Sequence, residues 1–212
     1  MKKTLRTFVA VEISEAICAR ATELIAALSE KGVRNRLCEA SEGPFRKTVP
    51  DTFFVKWVEP CNLHLTLKFL GEVHQREIPR VCRAVELGAA EVAPFPLDVR
   101  GAGAFPNAAR PRTVWLGAGE GAEQMVRLHD RVEAALAELG YREEHRRFQV
   151  HLTIGRVRGG GPGIVELGSL LEKHADFSAG KMTVERVTVF ASQLTPAGPI
   201  YEVLGSARLG RS

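Results

Sequence analysis

The chain has 212 residues, 45% of them hydrophobic and 25% charged, which gives it enough apolar material for a substantial core and excludes a disordered chain. No apolar run approaches the roughly 20 residues of a membrane helix, and Glu12 and Glu15 interrupt the apolar stretch behind the basic start, so that stretch reads as a strand and not an export signal. The formal net charge of +4 favours a polyanionic partner without identifying one.

Alternation predicts a first strand over 6–13. Ser14 then caps a helix whose inward face is Ile17, Cys18, Ala21, Leu24, Ile25 and Leu28, ending at Gly32. Residues 32–51 have no clean period and read as a mobile loop insertion. Four basic side chains in it, Arg34, Arg36, Arg46 and Lys47, could touch an RNA backbone; a tolerated surface insertion is the competing reading. Strands follow over 53–57 and 63–70, then a helix over 77–92 with Ile78, Val81, Cys82, Val85 and Leu87 inward. Further strands are predicted over 95–99 and 113–116, and a second long helix over 121–139. The chain closes with a strand over 148–157, a short helix over 165–173, and strands over 181–191 and 200–209. The mixture implies an α+β protein.

Cys18, Cys38, Cys61 and Cys82 form no C-x-x-C pair and read as reduced, buried thiols in a cytoplasmic protein with no structural zinc. His74, His129, His145 and His174 lack partners at metal spacing and read as surface histidines. A monomer is expected, because no exposed apolar stripe is apparent.

The informative feature is an internal repeat. Asn62-Leu63-His64-Leu65-Thr66-Leu67-Lys68-Phe69 matches Gln149-Val150-His151-Leu152-Thr153-Ile154-Gly155-Arg156 in residue type through six positions, and each copy lies on a predicted strand. On a strand, residues two apart share a face. His64 and Thr66 therefore project together, as do His151 and Thr153. The opposite, packed face carries Leu63, Leu65, Leu67 and Phe69 in one copy and Val150, Leu152 and Ile154 in the other.

Two imidazoles and two hydroxyls in one cleft suit the opening of a cyclic phosphodiester. One ring takes a proton from water while the other protonates the leaving oxygen. An unperturbed pKa of about 6.5 makes both charge states accessible. The hydroxyls can donate to non-bridging phosphoryl oxygens. The scheme calls for no metal and no cofactor.

These residues resemble the two-histidine phosphoesterases, and within them the LigT-like RNA 2',3'-cyclic phosphodiesterases, whose signature is a pair of H-x-T-x motifs. Here the motifs are His64-Leu65-Thr66-Leu67 and His151-Leu152-Thr153-Ile154. The similarity extends over residues 57–71, 6–11 and 112–117, and takes in Arg147-Phe148. It implies one domain over 1–212 made of two intertwined lobes, each an antiparallel sheet backed by helices, with pseudo-two-fold symmetry about a central cleft. It also implies hydrolysis of an RNA terminal 2',3'-cyclic phosphate, such as that of a tRNA fragment, to a 2'-phosphate. Reverse 2'-5' RNA ligation is a related activity of such proteins. By the same resemblance His64 is the proton donor and His151 the base; the residues alone do not order the two roles.

Arg156 is a second phosphate-binding candidate, since relatives carry Arg near this position. On a regular strand it projects with Leu152 and Ile154, away from His151, and it reaches the phosphate only if Gly155 bends the chain. Lys68 reads as a solvated charge on the cleft rim, and Phe8 and Trp115 first as core residues and second as candidates for stacking a terminal base. Two alternatives stay open: the same site acting on a small cyclic nucleotide, an ADP-ribose cyclic phosphate or a 2',5'-oligonucleotide, and a non-catalytic module that binds RNA ends.

Overall fold

Apolar alternation and helical periodicity generate β1 (Thr4–Glu12), α1 (Glu15–Val33), β2 (Phe54–Trp57), β3 (His64–His74), α2 (Ile78–Ala90), β4 (Phe95–Phe105), β5 (Thr113–Ala118), α3 (Ala122–Ala137), β6 (Leu152–Arg158), α4 (Gly163–Lys173), β7 (Ser178–Val184), β8 (Arg186–Leu194) and β9 (Pro199–Arg208). They are seen in a computed structural model that describes residues 3–33, 54–144, 146–159, 163–196 and 198–210. From residue 34 onward the expected loop insertion, including Arg34, Arg36, Cys38, Arg46 and Lys47, lies outside the described residues, as does His145. No described helix is long and apolar enough to cross a membrane.

The strands form one antiparallel sheet in the order β7-β4-β5-β6-β3-β1-β8-β9, with β2 also paired to β6. The two motif strands are therefore the central neighbours. They meet at a single residue pair, Leu65 with Leu152, the residue after the histidine in each motif. Each half of the sheet has the same plan, a motif strand flanked by the strand that precedes a long helix: β3 beside β1, and β6 beside β5. The halves are interlaced, because β8 and β9 return from the end of the chain to extend the half begun by β1.

Helices cover one face. Ser14 Oγ accepts the Ile17 N–H at 3.3 Å and starts α1, which packs on β7 and α4 through buried Ile17, Ala21, Leu24 and Leu28. Val81 and Val85 of α2 and Met125, Leu128, Val132 and Leu136 of α3 are fully buried. Burying such side chains stabilises the fold by roughly 1.5–3 kcal/mol each.

Four expectations need correction. Leu87 does not face inward; it is 53% exposed. The strand expected over 181–191 is two, β7 and β8, which pair in opposite halves of the sheet, and uniform apolar alternation conceals the crossing at Glu185. β4 runs through the Gly-rich stretch to Phe105, where the ring of Trp115 lies across Gly103 so closely that a Cβ there would sit 2.4 Å from it. Among the cysteines, Cys61 is exposed.

Candidate active site

Both motif histidines are held by the same device. His64 Nδ1 lies 2.8 Å from the carbonyl oxygen of Asn62, and His151 Nδ1 lies 2.8 Å from that of Gln149, two residues upstream in each case. A carbonyl only accepts, so each Nδ1 carries the hydrogen and each Nε2 is left for chemistry. Leu65 and Leu152 are buried beneath the sheet while His64, Thr66, His151 and Thr153 stand partly exposed on its other face. Continuing the Leu65–Leu152 register by one residue sets His64 across from Thr153 and Thr66 across from His151. The two histidines are then diagonal neighbours, about 7–8 Å apart at the backbone.

The surroundings of the two rings differ. His64 sits against Phe8 at 4.9 Å and meets Tyr201 edge-on at 5.3 Å, with Phe190 stacked behind Phe8 at 5.2 Å. Its side of the sheet seam opens into a cavity of about 940 Å³ that Glu12, Cys18 and Tyr201 also line. His151 meets Phe105 edge-on at 5.0 Å and borders a smaller cavity of about 270 Å³ with Trp115, Arg100 and Gln149. Each histidine thus lines its own cavity, one on either side of the point where β3 and β6 touch. Burial pushes the His64 pKa down; the Asn62 carbonyl acts against this, and the Arg156 charge adds to it. Burial also raises the Tyr201 phenol, against the charges of Arg156 and Arg6.

A repeated irregularity decides what lies beyond the threonines. In the pairing of β1 with β3, Val9 faces Lys68 and Ala10 faces Thr66, so Leu67 is an extra residue. In the pairing of β5 with β6, Val114 faces Gly155 and Trp115 faces Thr153, so Ile154 is extra. Both bulges fall on the fourth motif position. A bulge turns the following residues to the other face. Accordingly Leu67 and Lys68 are both buried, as are Ile154 and Gly155, while Phe69 and Arg156 emerge on the cleft face. Gly155 is required there, because a Cβ would lie 2.7 Å from the Trp57 ring and 2.8 Å from Val55.

The bulges reverse two readings of the sequence, those of Phe69 and Lys68, and supply the bend on which a third, that of Arg156, depends. Phe69 is not on the packed face but 60% exposed. Lys68 is not a solvated rim charge: it is 2% exposed, with Nζ 2.5 Å from Glu133 Oε1 and 2.9 Å from the Arg142 carbonyl. Arg156 is exposed on the side of His64, whose pKa its charge shifts. Phe8, at 3% exposure among His64, Phe190 and Tyr201, takes the core-packing alternative of its two readings, backs the His64 ring and offers no face to a base. One further correction concerns packing. His129 is not a surface residue; it is 5% exposed and stacks on Phe148 at 4.1 Å. Tyr201, Phe105 and Phe69 were missed as cleft residues. For Phe69 a signal existed, since the repeat aligns it with Arg156. Among the described residues no group of three or more His, Cys, Asp or Glu side chains gathers as a metal site.

A duplicated sheet with two symmetry-related histidines at its centre is the architecture of a two-histidine phosphoesterase. The family model described as 2'-5' RNA ligase superfamily matches residues 33–195. An RNA 2',3'-cyclic phosphodiesterase of Archaeoglobus fulgidus is 40% identical over 161 residues, 76% of this chain and 88% of the relative. That of Thermotoga maritima is 30% identical over 200 residues, 94% and 93% of the two chains. The crystal structure of TT0787 of Thermus thermophilus superposes with a TM-score of 0.69 at 30% identity, covering 98% of this chain and all of the other. The chain belongs to the 2'-5' RNA ligase superfamily.

Proposed function

We propose that this protein hydrolyses the 2',3'-cyclic phosphate at the end of an RNA to a 2'-phosphomonoester, by metal-independent acid and base catalysis with His64 and His151. The observation that carries the reading is the pair of Nε2 atoms freed by identical carbonyl contacts on strands that meet at Leu65 and Leu152. The names of the relatives supply the substrate class. His151 takes a proton from water as the new O–P bond forms, and His64 gives one to O3' as the P–O3' bond breaks. The rings finish with exchanged protonation states and reset by exchange with solvent. Thr66, Thr153 and Arg156 bind the non-bridging oxygens, where charge builds. An RNA 5'-hydroxyl in place of water would give a 2',5' linkage. The decisive test offers chelator-treated protein an oligoribonucleotide with a cyclic phosphate end; a 2'-phosphate product is expected, and a 3'-phosphate or a need for added metal rejects the scheme.

Phe69 stands on the cleft face as the counterpart of Arg156 and suits stacking of the terminal base. Such stacking contributes about 1–3 kcal/mol per base. Phe69→Ala should therefore raise KM for a cyclic mononucleotide by about 5- to 150-fold. An unchanged KM, with an unchanged kcat, would remove Phe69 from the site.

The depressed pKa of His64 favours a second reading with the two roles exchanged, because a base must start neutral. In the first reading the bound phosphate supplies the missing charge: its anion offsets Arg156 and draws a proton onto His64. Free His64 should set a limb of kcat/KM below the usual value of about 6.5 in either reading. In the first reading the limb it sets in kcat should lie higher, because a general acid is active only while protonated and the bound anion must raise it; in the exchanged reading it stays low. The two profiles are measured from pH 4 to 9.

A further inference from the structure

Resting on the proposed activity, we infer that Lys56 and Arg158 extend the Arg156 site into a binding row for the phosphodiester backbone upstream of the reacting RNA end. The row arises from register. β3 pairs with β6 only at Leu152, and β2 takes over the vacated edge, setting Lys56 directly opposite Arg156. Val55 and Trp57 of β2 pack against the core, so Lys56 between them projects to the other face, where the Ile154 bulge has also turned Arg156. Arg158, two residues on and exposed, shares that face at about 6.6–6.8 Å along the strand.

Like charges directly opposite on neighbouring strands are destabilising, and are normally relieved by an acidic neighbour. None relieves these: among the described residues Lys56, Arg156 and Arg158 form no ion pair, although nine ion pairs occur elsewhere. The cavity on the His64 side is instead lined by Glu12, Glu15 and Glu23 and repels a polyanion. A nucleic acid backbone leaving the reaction centre is therefore drawn along β6, away from the Leu65–Leu152 junction. Phosphodiesters fit this row because each needs one cation at a spacing close to that of alternate residues on a strand.

The test pairs Lys56→Gln/Arg158→Gln with the charge-preserving Lys56→Arg/Arg158→Lys, to separate charge from packing. Binding of a fluorescent ten-nucleotide RNA bearing a 2'-phosphate end is followed by anisotropy at several salt concentrations, alongside hydrolysis of 2',3'-cyclic AMP, which has no upstream phosphodiester. The neutralised variant should bind the RNA at least about 10-fold more weakly and lose about 1.4 from the log–log salt slope, two contacts at about 0.7 each on a single strand. It should hydrolyse 2',3'-cyclic AMP within 2-fold of the parent rate, and the charge-preserving variant should bind RNA like the parent. Equal losses on RNA and mononucleotide, or an unchanged salt slope, overturn the inference. Binding is read without turnover, so failure of the parent protein to hydrolyse any cyclic phosphate would overturn the proposed activity and leave this measurement valid.

Discussion

His64→Ala and His151→Ala should each lower the rate of cyclic phosphate opening by about 10²- to 10⁴-fold, the range of a positioned proton-transfer group. The two losses should respond differently to the leaving group. A cyclic phosphate with sulfur at the bridging 3' position departs as a thiolate and has little use for a proton. If His64 is the acid, His64→Ala should recover most of its rate on that substrate and His151→Ala none. The opposite recovery would establish the exchanged roles, and recovery by neither variant would mean that the rings do not divide the work between acid and base. Stability serves as a control. Each ring stands partly exposed on the cleft face, but His64 also packs on Phe8 and Tyr201 and His151 on Phe105, so thermal unfolding of both variants should stay cooperative, with the larger loss of stability in His64→Ala.

The shared faces of the motif pairs were legible in the sequence because strand parity is local: His64 and Thr66 share a face whatever the partner strand does. The residues just beyond were not. A bulge is a relation between two strands, two residues facing one, and nothing within Leu65-Thr66-Leu67-Lys68 states that β1 will skip Leu67. Both misassigned faces in the motifs, Lys68 and Phe69, lie after a bulge, and the face of Arg156, which parity leaves open, is decided by the bulge in the other copy. The same limit hid the split of 181–191, where periodicity persists while the chain changes partners from β4 to β1. Phe8 was left between two readings for a different reason. An aromatic next to a cleft histidine can face the cleft or support the ring, and only the positions of Phe190 and Tyr201, from the far end of the chain, decide for support.

Lys68→Met should destabilise the protein by about 3–5 kcal/mol at pH 7, because it strands the Glu133 carboxylate in the interior without its cation. Lys68 and Glu133 are 2% and 7% exposed, and Glu133 Oε1 accepts from both Lys68 Nζ and, at 2.6 Å, the Glu144 N–H. His129 Nε2 lies 2.8 Å from the other carboxylate oxygen, Glu133 Oε2, without hydrogen-bond alignment, and so leaves the Oε1 contact of the lysine unfilled. Burial alone would raise the Glu133 pKa, but the Lys68 and Glu144 hydrogen bonds and the charges of Lys68 and His129 outweigh it and hold the carboxyl below its usual range. A carboxyl with a depressed folded pKa stabilises above its ordinary value and loses that contribution as pH falls through the folded one. The gap between parent and Lys68→Met in urea unfolding should therefore be widest near neutrality and narrow below about pH 4, once Glu133 is protonated in both states. Lys68→Met/Glu133→Leu, which removes both charges, should recover most of the loss. A double variant as unstable as the single one would show that packing, not a stranded charge, sets the cost. The network also holds the segment that leads into the second motif, since Lys68 bonds the Arg142 carbonyl, Glu133 the Glu144 N–H, and His129 stacks on Phe148. Folded Lys68→Met protein should accordingly lose kcat through a misplaced His151, whereas its binding of a 2'-phosphate through Arg156 should persist.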